Sequence, residues 1–160
     1  MRMESLTLRI GGTEIKRALR SMKLHQGLRI IDVRLEPGVV QLELALPGNI
    51  PFRPMIYLSN PSVQGAVISL RISGPLGFGL PDIALSLIMP TLPSGVDYLG
   101  CGLILVDLIQ VCQGAFRSID LNGVSIEPDH ISLDVACAEF DLESLPRAAS
   151  LLQAISIEEL

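Results

Sequence analysis

The stretch SGVDYLGCGLILVDLIQVCQG, Ser94 to Gly114, holds the densest run of aliphatic residues in the chain, and its reading sets the expected fold. Ser94 followed by Asp97 has the spacing of a capping box, with Asp in place of the usual Glu or Gln, and it marks the start of a helix running to about Gly114. Apolar side chains fall on nearly every side of that helix, the pattern of one buried at the centre of a domain. Its most hydrophobic part, Tyr98 to Cys112, is interrupted by Asp107 and Gln110 and is shorter than the ~18 to 20 residues needed to cross a bilayer. A buried helix is expected first and an interfacial one second.

Upstream, Leu6, Leu8 and Ile10 alternate with Thr7 and Arg9 in the period of a half-buried strand, until Gly11 and Gly12 break it. Thr13 can cap a helix whose Ile15, Ala18, Leu19 and Met22 share one face, with Glu14 in the first turn and Gly27 as a stop. Ile31, Val33 and Leu35 alternate with charged residues, Pro37 and Gly38 supply a turn, and Val40, Leu42, Leu44 and Leu46 alternate again, which predicts a hairpin with one dry face. Four prolines between Pro47 and Pro61 predict an irregular crossing or a sheet edge. Strands are expected at Val63–Ser73 and Ile83–Ile88, the latter after a loop from Gly74 to Asp82.

Downstream of the apolar stretch a second hairpin is expected, Ile119–Ile126 and Ile131–Cys137, turning at Glu127, Pro128 and Asp129. Ser144 then caps a last helix with Leu145, Ala148, Ala149 and Leu152 inward. The expected fold class is α+β: a single domain over residues 1–160 with an antiparallel sheet of long amphipathic strands on a central apolar helix. Residues Val33 to Ala45 also echo Val124 to Ala136, with identities at Val33/Val124, Glu36/Glu127, Pro37/Pro128, Leu42/Leu133 and Ala45/Ala136. Two explanations fit: any hairpin turning through Glu-Pro looks alike, or the chain holds a helix-plus-hairpin pseudo-repeat.

The composition narrows the function classes. Charged residues make up 18% of the 160, and mean hydropathy is +0.49, so the chain has little charge with which to cover its exterior. Some apolar surface is therefore expected to meet a ligand, a subunit or a membrane. Aromatics are 4%, Trp is absent and the net charge is −5, which argues against nucleic acid as a partner. Cys101, Cys112 and Cys137 make an odd count that suits a reducing, cytoplasmic setting, and Met1 to Ile10 has no apolar run of the kind a secretion signal carries.

No catalytic centre is expected, and no cofactor or metal. His25 and His130 lack ligand-spaced partners, the first suiting a helix C-terminus and the second a solvated turn beside Asp129. The loop Gly74 to Gly79 lacks the lysine of a phosphate-binding loop and precedes an expected strand. Asp107 stands out, because a carboxylate inside an apolar helix costs several kcal/mol unless it is paired or faces water.

Charge is sorted along the chain. Residues 1–34 carry eight basic and three acidic side chains, and the remainder four basic and fourteen acidic. Lys16, Arg20 and Lys23 share one face of the first helix, while 118–146 is acidic with no basic residue. Three arrangements follow: complementary patches joining copies, a basic helix docked on anionic lipid, or two patches that are neighbours in one fold.

Alternating strands around an apolar helix, with paired helix-hairpin units and an aliphatic surplus, resemble the tubular lipid-binding superfamily typified by bactericidal permeability-increasing protein. The resemblance is one of pattern and implies an elongated aliphatic groove that holds acyl chains. The expected function is a non-catalytic binding module for lipid or another apolar ligand, with peripheral membrane contact as one mode. Leu42, Leu44, Leu99, Leu103, Val106, Leu133 and Val135 are the expected ligand-lining residues. The alternative is a homo-oligomeric or partner-binding structural protein that uses the opposite charge patches.

Overall fold

The computed structural model describes residues 2–21, 27–48, 51, 53–74, 92, 94–112, 114–141, 143 and 155–159. These form ten strands and two short helices: β1 Arg2–Gly11, α1 Gly12–Arg20, β2 Arg29–Glu36, β3 Val39–Ala45, β4 Met55–Gln64, β5 Val67–Ser73, β6 Val96–Gly100, β7 Leu103–Asp107, α2 Leu108–Val111, β8 Phe116–Ile126, β9 His130–Phe140 and β10 Ile155–Glu159. A four-stranded sheet has the order β10-β1-β9-β8, a six-stranded sheet the order β2-β3-β4-β5-β7-β6, and every pairing is antiparallel.

The fold class is thus mainly β, and the expected α+β arrangement is corrected: the central apolar helix does not form. Ser94–Gly114 instead makes the β6–β7 hairpin followed by the four-residue α2. The cause lies in its turn, where Gly100, Cys101 and Gly102 have φ of 90°, 52° and 76°. Three successive left-handed residues cannot belong to a right-handed helix, and each glycine already disfavours one by about 1 kcal/mol relative to Ala. Gly102 also lies flush on the neighbouring strand: its carbonyl accepts from Ile72 N–H at 2.7 Å, and a Cβ there would stand 3.0 Å from the Ile72 carbonyl oxygen. An all-round apolar run therefore belongs here to strands, whose outward residues are apolar as well.

The irregular crossing expected between Pro47 and Pro61 is also corrected in its second half, which is β4. Pro61 is tolerated because β4 pairs with β3 only as far as Ser59, and its register with β5 slips between Ser59 and Ser62. Asn60, at φ 51°, makes the kink. Beyond it β4 turns toward the other sheet and packs on β8, where Leu121 N–H donates to the Gly65 carbonyl at 3.0 Å. The strand expected at Val63–Ser73 is the end of β4, a turn at Gly65–Ala66, and β5. Ile83–Ile88 and the helix after Ser144 lie outside the described residues.

The first strand and the two Glu-Pro hairpins fall where periodicity puts them; the first helix forms too, but Thr13 lies inside it and does not cap it, the N-cap being Gly11 with no side-chain bond. The hairpins sit in different sheets yet share one register: Val33 pairs with Leu42 and Leu35 with Val40, as Val124 pairs with Leu133 and Ile126 with Ile131. No long helix precedes the second hairpin, so the echo is of hairpins alone. Their turns touch, with Gly38 N–H donating to the Ile126 carbonyl at 2.9 Å and Gly12 N–H to the Asp129 carbonyl at 2.7 Å.

The inner faces of the two sheets build two apolar clusters. One joins Leu6, Leu8, Leu121, Leu133 and Val135 with Ile68 and with Leu108 and Ile109 of α2. The other joins Ile30, Val33, Leu42, Leu44, Ile56 and Ile104 with Ile126 and with Ile15 and Leu19 of α1. Leu70 and Val106 pack on both.

Candidate functional site

The seven expected ligand-lining residues are not brought together. Leu42 and Leu44 are buried in the second cluster and Leu133 and Val135 in the first, each within tightly packed strands. Val106 is half-buried between the clusters. Leu99 and Leu103 point the other way, 61% and 37% exposed, at the outer end of the six-stranded sheet.

Their exposure has a local cause. Tyr98 pairs with Ile104 and Gly100 with Leu103, so Leu99 is the extra residue of a bulge, with no partner on β7. Tyr98 faces inward, and its hydroxyl accepts from Gly102 N–H at 3.1 Å, which fixes the turn. Leu99 and Leu103 then flank Cys101, whose thiol is free and exposed. Arg71 pairs with Leu103 across β5 and is exposed. Cys101 and Arg71 were not singled out from sequence; the Gly-Cys-Gly triplet is the signal that marks this turn.

Beside the hairpin, a cleft of about 410 Å³ opens between Gln110 of α2 and the segment Ser94–Tyr98. Gly95 lets the chain lie against α2, since a Cβ there would come within 2.8 Å of Gln110 Cβ. Asp107 caps α2: its carboxylate accepts from Ile109 N–H at 3.0 Å, which gives the carboxylate in the apolar stretch a partner.

His130 Nδ1 lies 2.6 Å from Asp129 Oδ1 at the β8–β9 turn, and this contact holds the Asp129 carboxyl below the usual carboxylate range. His25 lies outside the described residues, as does Lys23. Among the described residues no group of three or more His, Cys, Asp and Glu side chains is placed to hold a metal ion. Cys112 is half-buried beneath α2, and burial pushes its thiol pKa up, toward the unreactive form.

Of the expected basic face, Lys16 is neutralised by Asp32, Nζ to Oδ1 2.9 Å, while Arg20 is exposed. Lys16 is the first cause of the lowered Asp32 pKa, aided by the Val33 amide and Arg34 against an opposing push from burial. Asp32 lies outside the acidic segment 118–146, so this bridge is local to the basic N-terminal part of the chain.

The fold and this surface together define a two-sheet antiparallel domain with an aliphatic hairpin end open to solvent. No protein-family profile, curated protein or solved structure matches the chain. No helix among the described residues is long and apolar enough to cross a membrane.

Proposed function

We propose that this protein is a non-catalytic module that binds lipid or another apolar partner, and that it does so through the β6–β7 hairpin end. The observation carrying this reading is the pair Leu99 and Leu103, the large hydrophobic side chains that are exposed among the described residues. Aliphatic side chains held on a rigid turn lose little entropy on entering an acyl layer, and burying each is worth about 1.5–3 kcal/mol. The acyl-binding groove implied by the tubular lipid-binding resemblance would need an internal channel; the clusters around Leu42 and Leu133 support a surface contact better. A cytoplasmic, reducing setting suits three free cysteines.

Co-sedimentation with phosphatidylcholine vesicles tests the reading. The wild type is expected to pellet with vesicles and the Leu99→Asp/Leu103→Asp variant to remain in the supernatant with an unchanged thermal midpoint. Equal partitioning of the two proteins refutes it. A wild type that ignores vesicles but forms a dimer abolished by the same variant transfers the hairpin end to the oligomeric alternative.

A further inference from the structure

A second surface lies at the far edge of the six-stranded sheet. α1 packs along the edge strand β2, and the Lys16–Asp32 bridge fixes their alignment. From that bridge the chain runs one helical turn to Arg20 and returns to Asp32 from Arg29, so Arg20 and Arg29 lie at the same end of the α1–β2 unit. Arg17 adjoins Arg20 on the helix surface at i, i+3 spacing. All three guanidiniums are exposed, and none has an acidic partner among the described residues. In a chain of net charge −5 this is a concentrated positive flank.

The outward face of the four-stranded sheet has the opposite sign. The pleat reverses at Ser5, whose φ is 55°, with a matching slip between Asp120 and Leu121 on β8. The reversal turns Glu4, Cys137 and Asp120 outward in one cross-strand row. Glu139, paired with Arg2, stands in the next row toward the sheet end, and Asp134, which accepts from the Thr7 hydroxyl at 3.2 Å, on the other side. Four carboxylates thus share this face with Arg9 and with Arg2, which bridges Glu4 at 3.4 Å, so the face is two negative charges in excess; the Arg117–Asp141 pair at its end, 3.7 Å apart, is neutral as a unit.

We propose that the Arg17–Arg20–Arg29 flank docks on the Glu4–Asp120–Glu139 face of a second copy of this chain. Charge complementarity is the argument: one chain supplies both the positive flank and the acidic face, on different elements, and α1 leaves its exposed arginines without internal partners. The acidic face is three strands wide, β1, β9 and β8, and up to eleven residues long, about 500 Å² from strand spacing and rise. That is a small interface, so the association is weak, rises with concentration and is sensitive to salt. A flank-to-face contact uses different surfaces on the two copies and forms chains unless it closes reciprocally.

Sedimentation velocity over a range of protein concentrations tests this, with far-UV circular dichroism as the folding control. The wild type is expected to associate at about 20 mM salt and to return to monomer at about 500 mM, where screening is within a few ångströms. Arg17→Glu/Arg20→Glu/Arg29→Glu and, separately, Glu4→Lys/Asp120→Lys/Glu139→Lys should each weaken self-association more than tenfold. Mixing the two charge-reversed proteins should restore it, since each then carries the complement of the other. A wild type that is monomeric at low salt overturns the proposal, as does association indifferent to both variants. Arginine-dependent binding of a monomer to phosphatidylserine vesicles overturns it in favour of a lipid surface.

Discussion

The β8–β9 and β6–β7 hairpins are both rich in aliphatic residues, yet the first hides them and the second displays Leu99 and Leu103. The first is an end hairpin of its sheet, but its edge strand β8 packs against the far half of β4, and its turn is tied down by Gly12 and Gly38 N–H groups. Leu133 and Val135 are consequently 4% and 2% exposed. The second is likewise an end hairpin, with β6 at the edge, and the bulge at Leu99 leaves that side chain without a partner on β7. Aliphatic content does not decide which residues are available to a partner; the docking of the turn does.

The largest effect that can break this contrast comes from the tied hairpin's packing partner. Leu6, 2% exposed and paired with Val135, is expected to cost about 2–5 kcal/mol on replacement by Ala, read as a fall in the urea midpoint. In the free hairpin the backbone matters more than the side chains. Gly102→Val places a branched side chain at φ 76° and 3.0 Å from the Ile72 carbonyl, and equilibrium unfolding should register a loss of about 2 kcal/mol.

The β2–β3 hairpin is tied to α1 partly by charge, through Lys16 of the helix and Asp32 of β2. The lowered Asp32 pKa means that its contribution is complete above the usual carboxylate pKa near ~4 and is lost as pH falls through the folded value. Thermal midpoints followed from neutral to acid pH should therefore drop more steeply in the wild type than in Asp32→Asn. The smallest effect should come from Leu99→Ala, which ought to leave stability within ~0.5 kcal/mol because its side chain is 61% exposed. A loss comparable to that of Leu6→Ala would show that Leu99 is covered in solution.

Where side chains alternate between water and core, periodicity was enough: Leu6 to Ile10, Ile15 to Leu19 and both Glu-Pro hairpins lie where their spacing puts them. It failed where backbone conformation outweighs it. Apolar content on both faces of β7 is indistinguishable from an all-apolar helix until the left-handed Gly-Cys-Gly turn is taken into account. Pro61 argued against a strand because its missing N–H matters only where a neighbour would accept it, and β3 has ended by then. Of the seven expected ligand-lining residues, Leu99 and Leu103 are the ones the fold exposes. Their separation from Leu42 and Leu133 depends on strand pairing and a bulge, which one chain's periodicity does not encode.

The kink at Asn60–Pro61 has a consequence for how the molecule comes apart. One continuous strand pairs with β5 along both halves, with β3 in its first half only, and rests on β8 in its second, while Leu70 and Val106 pack on both clusters. Neither layer can melt without stripping β4 from the other. The protein should therefore unfold in a single cooperative transition, and amides on the two sides of the kink should exchange with solvent at similar free energies, as members of one foldon.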